Sequence, residues 1–154
     1  MPGGPSLDEQ LCFALYAATN AVTRAYRPLL GAIGLTYPQY LVMMVLWQDG
    51  ASTIQTIARR LRLGANAITP LIDRLEAAGL VARGQSTTDR RVVRAILTPA
   101  GEALRDEVSK AQDSVKCQMS LSSESVAALR AELMALTDRM APAVSVNTHG
   151  ITAD

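Results

Sequence analysis

Histidine and cysteine are nearly absent from this 154-residue chain, with one of the first and two of the second. His149 stands alone near the end of the chain, so no zinc-type ligand set is available. Two cysteines, Cys12 and Cys117, fit thiols better than a structural bridge in a cytoplasmic protein. No apolar run is long enough for a membrane span, and Met1-Pro2-Gly3-Gly4-Pro5 has neither a basic leader nor an apolar signal core. A cytoplasmic location without membrane partners is therefore expected. Aromatic residues make up only 4% of the chain, so Phe13, Trp47 and the four tyrosines merit individual placement. Internal repeats, phosphate loops and catalytic triads are all missing from the pattern, so neither an enzyme nor a cofactor is expected. What remains is 49% hydrophobic and 19% charged, ordinary for one globular domain with a possible extension.

The most informative stretch runs from Ser52 to Thr98. Ile54, Ile57, Ala58 and Leu61 recur at helical spacing behind Ser52, which is placed to cap a short helix through Leu61. Leu63-Gly64 interrupts, and a second helix is predicted from Ala65 to Ala78, ended by Gly79. Its apolar positions Ile68, Leu71, Ile72 and Leu75 leave Asn66, Thr69, Asp73 and Arg74 outside. Leu80 to Arg83 and Val92 to Leu97 read as two strands, joined by the polar, basic loop Gln85 to Arg91. Helix, tight turn, helix and basic hairpin make a winged helix-turn-helix, whose second helix enters the DNA major groove. The wing's arginines then lie along the backbone or in the adjacent minor groove. Net charge over the whole chain is only +1, yet residues 59–94 hold eight arginines against three carboxylates, a local +5 that leaves −4 elsewhere. Arginine suits forked contacts with phosphate and guanine. Asn66, Thr69, Arg74, Asp89, Arg90 and Arg91 are the expected DNA-binding residues.

Around this stretch the chain is helical, and the fold expected is mainly α with a small β-wing. A first helix is predicted from Leu7 to Leu30, with Ser6 as its cap and Pro28 kinking or ending it. Thr36 caps a second, Tyr37 to Trp47, apolar nearly all round and hence buried. Beyond the wing, Thr98-Pro99 opens a helix to about Cys117, and Ser122 or Ser123 opens a last one carrying Val126, Leu129, Leu133 and Leu136. The division expected is 1–35 for an N-terminal dimerisation and sensor helix, 36–98 for the DNA-binding lobe, 99–141 for C-terminal dimerisation helices and 142–154 for a tail. The outer helices carry more apolar face than one winged helix covers. A two-fold homodimer covers it and reads a near-palindromic operator in double-stranded DNA.

From Leu7 to Leu136 the chain resembles the MarR family of winged-helix repressors, and within it the organic hydroperoxide resistance regulators. The residues carrying the resemblance are Gln10-Leu11-Cys12-Phe13-Ala14-Leu15-Tyr16, Thr23-Arg24-Ala25-Tyr26-Arg27-Pro28-Leu29-Leu30, Leu35-Thr36-Tyr37-Pro38-Gln39-Tyr40-Leu41 and Ile68-Thr69-Pro70-Leu71-Ile72-Asp73-Arg74-Leu75-Glu76. The Asp-x-Arg wing signature also matches, at Asp89 and Arg91. The resemblance implies that Cys12 senses an organic hydroperoxide and that Tyr26 and Tyr37 hydrogen-bond its sulfur. It also implies that Cys117 is the resolving thiol of the two-cysteine type, bridging to Cys12 of the other subunit. Cys12 and Tyr26 lie fourteen positions apart, about 21 Å along an unbroken helix, so their meeting requires a partner subunit. Cys12 is expected in the second turn of its helix, near the positive end, with Phe13, Leu41, Met44 and Trp47 favouring apolar peroxides. One departure stands out. Where the subfamily usually has Asp-Ser-Gly-Thr at the start of the recognition helix, this chain has Gly64-Ala65-Asn66-Ala67, without the polar cap and with Asn66 available to an adenine edge.

Other readings stay open at the sequence level. Cys12 can be an inert buried residue in a repressor relieved by a small apolar ligand. The oxidant can be hypochlorite or a quinone, and two cysteines can serve a thiol peroxidase, which leaves the arginine wing unexplained.

Overall fold

A computed structural model describes residues 3–142, which fall into two compact units that divide after Gln118. The tail read beyond Pro142, with His149, lies outside the described residues. The first unit holds α1 (Leu11–Gly31), α2 (Tyr37–Asp49), β1 (Ser52–Thr53), α3 (Ile54–Leu61), α4 (Ala65–Ala77), β2 (Val81–Gln85), β3 (Val93–Leu97), α5 (Pro99–Ala103) and α6 (Arg105–Met119). The second holds α7 (Ser123–Met140). The expected fold, mainly helical with a small β-wing, is the one observed.

Helix α2 is the centre of the core. Its start is fixed by a reciprocal box in which Thr36 Oγ1 accepts from the Gln39 N–H (3.4 Å) and Gln39 Oε1 accepts from the Thr36 N–H (3.0 Å). Pro38 sits where its missing N–H has no ladder partner to lose. Val42, Met43 and Leu46 are fully buried against Leu30, Ile57, Ile68, Ile72, Leu75, Val81 and Val115. The all-round apolar pattern of α2 thus marks a helix enclosed by its neighbours.

Several boundaries differ from those read in the sequence: α2 runs on to Asp49, and β2 takes in Gly84 and Gln85, the second of which reads as part of the loop. Leu7 to Gln10 close into a turn, the Gln10 N–H donating to the Leu7 carbonyl (3.1 Å), so α1 begins at Leu11 and not at Leu7. Gln10, and not Ser6, is its cap residue, without a side-chain bond, and Cys12 falls in the first turn instead of the second. Pro28 does not end the helix, which runs three residues further to Gly31. Ser52 does not cap α3: it is buried in β1, paired with Ala95, with its hydroxyl on the Gly50 carbonyl (2.9 Å). Thr53 caps instead, accepting from the Thr56 N–H (3.1 Å).

The sheet is antiparallel in the order β1-β3-β2, with Val81 opposite Leu97 and Gln85 opposite Val93. The single helix expected from Thr98 to Cys117 is two, α5 and α6, broken at Leu104. The break falls where the Gly101 carbonyl, a ladder acceptor, takes the Trp47 indole N–H (3.2 Å). Gly101 is buried so closely under the Leu80 carbonyl that a side chain there would collide with backbone. In the second unit, Ser122 caps α7 by accepting from the Ser125 N–H (3.1 Å), with Glu124 in the first turn and Arg139 in the last, each suited to the helix dipole. Leu129, Leu133, Met134 and Met140 along it are exposed. Among the described residues no helix is long and apolar enough to cross a membrane.

Candidate nucleic-acid interface and thiol site

Helices α3 and α4 meet through a tight connection in which Arg62 adopts a left-handed conformation (φ 56°) and Gly64 caps α4 without a side-chain bond. The buried stripe Ile68, Ile72 and Leu75 fixes the rotation of α4. That rotation leaves Ala65, Asn66, Thr69, Pro70, Asp73 and Arg74 on the exposed side. Thr69 donates its hydroxyl to the Ala65 carbonyl (3.2 Å). A β-carbon on residue 64 would collide with the Asn66 side-chain oxygen, so Gly64 leaves the space that this amide occupies.

Seven of the eight arginines of this region divide by partner, the eighth being Arg62 of the connection. Arg60 Nε pairs with Asp49 (2.7 Å). Arg83 on β2 bridges Asp73 and Glu76 of α4, the second at 3.1 Å, which offsets part of the negative charge of the recognition helix while both carboxylates stay exposed. Arg94 reaches the Ala51 carbonyl (3.4 Å). Arg59, Arg74, Arg90 and Arg91 are exposed. The wing is closed by its own groups: Asp89 accepts from the Arg91 N–H (3.0 Å), and Ser86 Oγ accepts from the Thr88 N–H (3.3 Å). Asp89 thereby acts on the shape of the wing, while the side chains of Arg90 and Arg91 stand outside it. The sequence presents all eight arginines as one basic surface, and nothing local in it signals the Arg83 bridge, a pairing across ten positions and two elements.

Both cysteines are exposed thiols, Cys12 in the first turn of α1 and Cys117 in the last turn of α6. Just beyond Cys117, Ser120 adopts a left-handed conformation (φ 51°). Leu7, Leu11, Phe13 and Tyr16 around Cys12 in the sequence are exposed apolar side chains. Tyr26 and Tyr37 come together with Tyr40, a residue that sequence reasoning misses. The ring centroids are 5.3 Å apart for Tyr26–Tyr37 and Tyr26–Tyr40, and 5.5 Å for Tyr37–Tyr40. Burial pushes the Tyr26 phenol well above its ordinary range, followed by its hydrogen bond with Tyr40 and the charges of Tyr40 and Tyr37. Tyr37 is pushed up by burial and then by Tyr40. Both therefore stay protonated at neutral pH and can donate. Gln112 of α6 donates to the Tyr40 hydroxyl (2.6 Å) and the Met44 sulfur (3.4 Å), tying the cluster to the helix that carries Cys117. A cleft of about 400 Å³ opens beside it, lined by Met44, Trp47, Gln48, Arg105, Val108, Ser109 and Gln112.

A two-helix motif with an exposed polar second helix and an arginine-tipped hairpin defines a winged helix-turn-helix protein that binds DNA. Comparison with known proteins identifies the group. Residues 35–93 match the family model "MarR family". The organic hydroperoxide resistance transcriptional regulator of Bacillus subtilis is 33% identical over 87% of this chain and 91% of its own length. The regulator MgrA of Staphylococcus aureus is 38% identical over 79% and 83%. The regulator TtmR of Methylorubrum extorquens is 48% identical over 67% of this chain, a match spanning about half (53%) of TtmR. Among solved structures, overoxidized AbfR bound to DNA superposes with a TM-score of 0.71 at 29% identity, covering 88% of this chain and 95% of that one. Disulfide-formed AbfR gives 0.64 at 32% identity over 85% and 92%. AbfR is from Staphylococcus epidermidis. This chain belongs to the MarR family and is a DNA-binding transcriptional regulator, not an enzyme.

Proposed function

We propose that the protein is a homodimeric repressor of the two-cysteine type, holding a near-palindromic operator when reduced and releasing it when Cys12 is oxidised by an organic hydroperoxide. The observation that carries this reading is the continuity of α1. Cys12 at its start and Tyr26 near its end belong to one helix, about 21 Å apart along the axis. A thiol lying among exposed apolar residues and two phenols, Tyr26 buried and Tyr37 half-buried, thus form one site when a second α1 runs antiparallel to the first. Residues 1–35 and 99–141 supply that dimer, and 36–98 the DNA-binding lobe. Asn66, Thr69, Arg74, Arg90 and Arg91 contact DNA, with Asp89 shaping the wing. The AbfR structures, obtained overoxidized and disulfide-formed, support a thiol chemistry in this family.

In the chemical step the Cys12 thiolate attacks the terminal peroxide oxygen. The O–O bond breaks, the sulfur becomes a sulfenic acid and the other oxygen leaves as an alcohol after protonation. Tyr26 and Tyr37 donate hydrogen bonds to the sulfur. The Cys117 thiol of the other subunit then displaces water from the sulfenic acid, forming an S–S bond that reorients the DNA-binding lobes.

DNA release should be titrated with cumene hydroperoxide for wild type, Cys12→Ser and Cys117→Ser. Wild type is expected to dissociate and Cys12→Ser to stay bound, while Cys117→Ser reports the need for the bridge. Release of Cys12→Ser at the wild-type peroxide concentration sinks the sensor assignment. A second reading, relief by a small apolar ligand with Cys12 inert, is favoured by the cleft at Met44, Trp47 and Val108. Mass spectrometry after peroxide separates the two, since an inert thiol gains no oxygen and forms no bridge.

A further inference from the structure

The exposed side of α4 is poor in the groups that read guanine and cytosine. Over its first two turns it presents Ala65, Asn66, Thr69 and Pro70. The first cation along the helix is Arg74, in its last turn, about 14 Å from Ala65 along the axis and beyond one groove width of about 12 Å. Guanine offers two acceptors to the major groove and is matched by a forked cation, absent from these turns. Cytosine offers an amino donor and is matched by a carboxylate. The two carboxylates of this helix, Asp73 and Glu76, are held by Arg83. What remains is largely apolar, apart from one amide and the Thr69 hydroxyl oxygen, which can still accept. The Thr69 proton is engaged by the Ala65 carbonyl (3.2 Å), so the side chain offers a partner no donor but its methyl group and an acceptor oxygen. Ala65, one turn earlier on the same stripe, offers another. Thymine is the base with a methyl on its major-groove edge, and adenine the one matched in a forked manner by an amide.

We propose that α4 reads thymine and adenine: Ala65 and Thr69 against thymine C5 methyl groups, Asn66 on the N6–N7 edge of one adenine. The assignment rests on α4 entering the major groove. A β-carbon at residue 64 would press on the Asn66 side-chain oxygen, the end of an exposed side chain that can turn away, so Gly64 leaves that amide its present position without fixing it there.

The test uses the full-length reduced protein and a randomised duplex library. Selected half-sites are expected to be A·T base pairs under α4, with no required guanine there. Each thymine is then replaced singly by uracil, which lacks only the methyl. Wild type should lose about three- to fivefold in affinity at the contacted positions, the worth of one buried methyl group. Thr69→Ser should lose as much on thymine and show no further loss on uracil at one position. Asn66→Ala should relax the preference at one adenine by about tenfold or more. Equal affinity of wild type for thymine and uracil at every position overturns the methyl readout, as does undiminished discrimination by Thr69→Ser. A selected guanine or cytosine under α4, unaffected by Asn66→Ala, overturns the assignment as a whole. A wild-type protein that enriches no duplex fails at the regulator reading itself, a result distinct from enrichment of the wrong bases.

Discussion

Gly101→Ala is the substitution whose cost the structure fixes most directly. The added methyl would collide with the Leu80 carbonyl oxygen, sit 3.1 Å from the Leu80 carbonyl carbon and 3.2 Å from Leu97 Cδ2. The first two belong to backbone that is already engaged, since the Thr98 N–H donates to the same Leu80 carbonyl (3.1 Å). Backbone cannot rotate away as a side-chain end can, so α5 must shift as a body. Overpacking of this kind costs about 1–3 kcal/mol. Loss of the Trp47–Gly101 hydrogen bond adds about 1 kcal/mol. A total of about 2–4 kcal/mol is a large part of the ~5–15 kcal/mol that holds an ordinary domain together. Urea unfolding followed by the fluorescence of Trp47, the single tryptophan, measures it. Two other glycines serve as internal controls. At Gly84 the obstacle is Ile96 Cδ1, the end of an exposed flexible side chain, and Gly84→Ala should change stability by less than about 0.5 kcal/mol. At Gly31, in the last turn of α1, nothing lies within 4 Å, and Gly31→Ala should gain about 0.5–1 kcal/mol. Equal effects at positions 101 and 84 would refute the argument from backbone collision.

Removing Arg90 or Arg91 should lower operator affinity for all sequences alike and reduce the slope of log K against log salt by about one for each phosphate no longer neutralised, measured by fluorescence anisotropy across a salt series. Reversing the Arg83 and Asp73 charges one at a time should weaken operator binding, and the double exchange should restore part of it; full additivity in that cycle would show that the bridge does not position α4. Tyr26 has its ionisation raised in the folded state above the ordinary 10.0. Its contribution to stability is whole below pH 10 and is lost as pH climbs beyond it, because the unfolded chain ionises first. Tyr26→Phe should therefore flatten the alkaline limb of a stability profile recorded by urea midpoints, and an unchanged limb would place the alkaline transition elsewhere.

The helices were legible in the sequence wherever one face was apolar and a cap residue stood at the start. Thr36, Thr98 and Ser122 cap as their sequence positions imply. The exposed positions of α4 followed from its buried ones, since a 3.6-residue period leaves no choice of face. The two-residue β1 is too short to carry a period of its own and exists only because β3, some forty residues later, pairs with it. Leu104 interrupts a pattern that reads as continuous helix because the cause lies in Trp47, on another element. The thiol site was half visible. Tyr26 and Tyr37 came from matched runs, but Tyr40 owes its place to Gln112, 72 positions away, and no local signal joins the two. Arg83 was illegible for a like reason: a cation counts toward a basic surface until its neighbours in space are known.

Because Ser86, Thr88 and Asp89 close the wing among themselves, positions 90 and 91 are free of structural duty in their side chains. Descendants of this gene can exchange those arginines and tune how strongly they hold DNA without spoiling the fold that presents them. On α4 the situation is the reverse. Asp73 and Glu76 share one arginine, so a change at any of these three positions alters the charge that the recognition helix presents. Binding strength can therefore be changed at the wing alone, whereas the charge of α4 is set jointly by two elements.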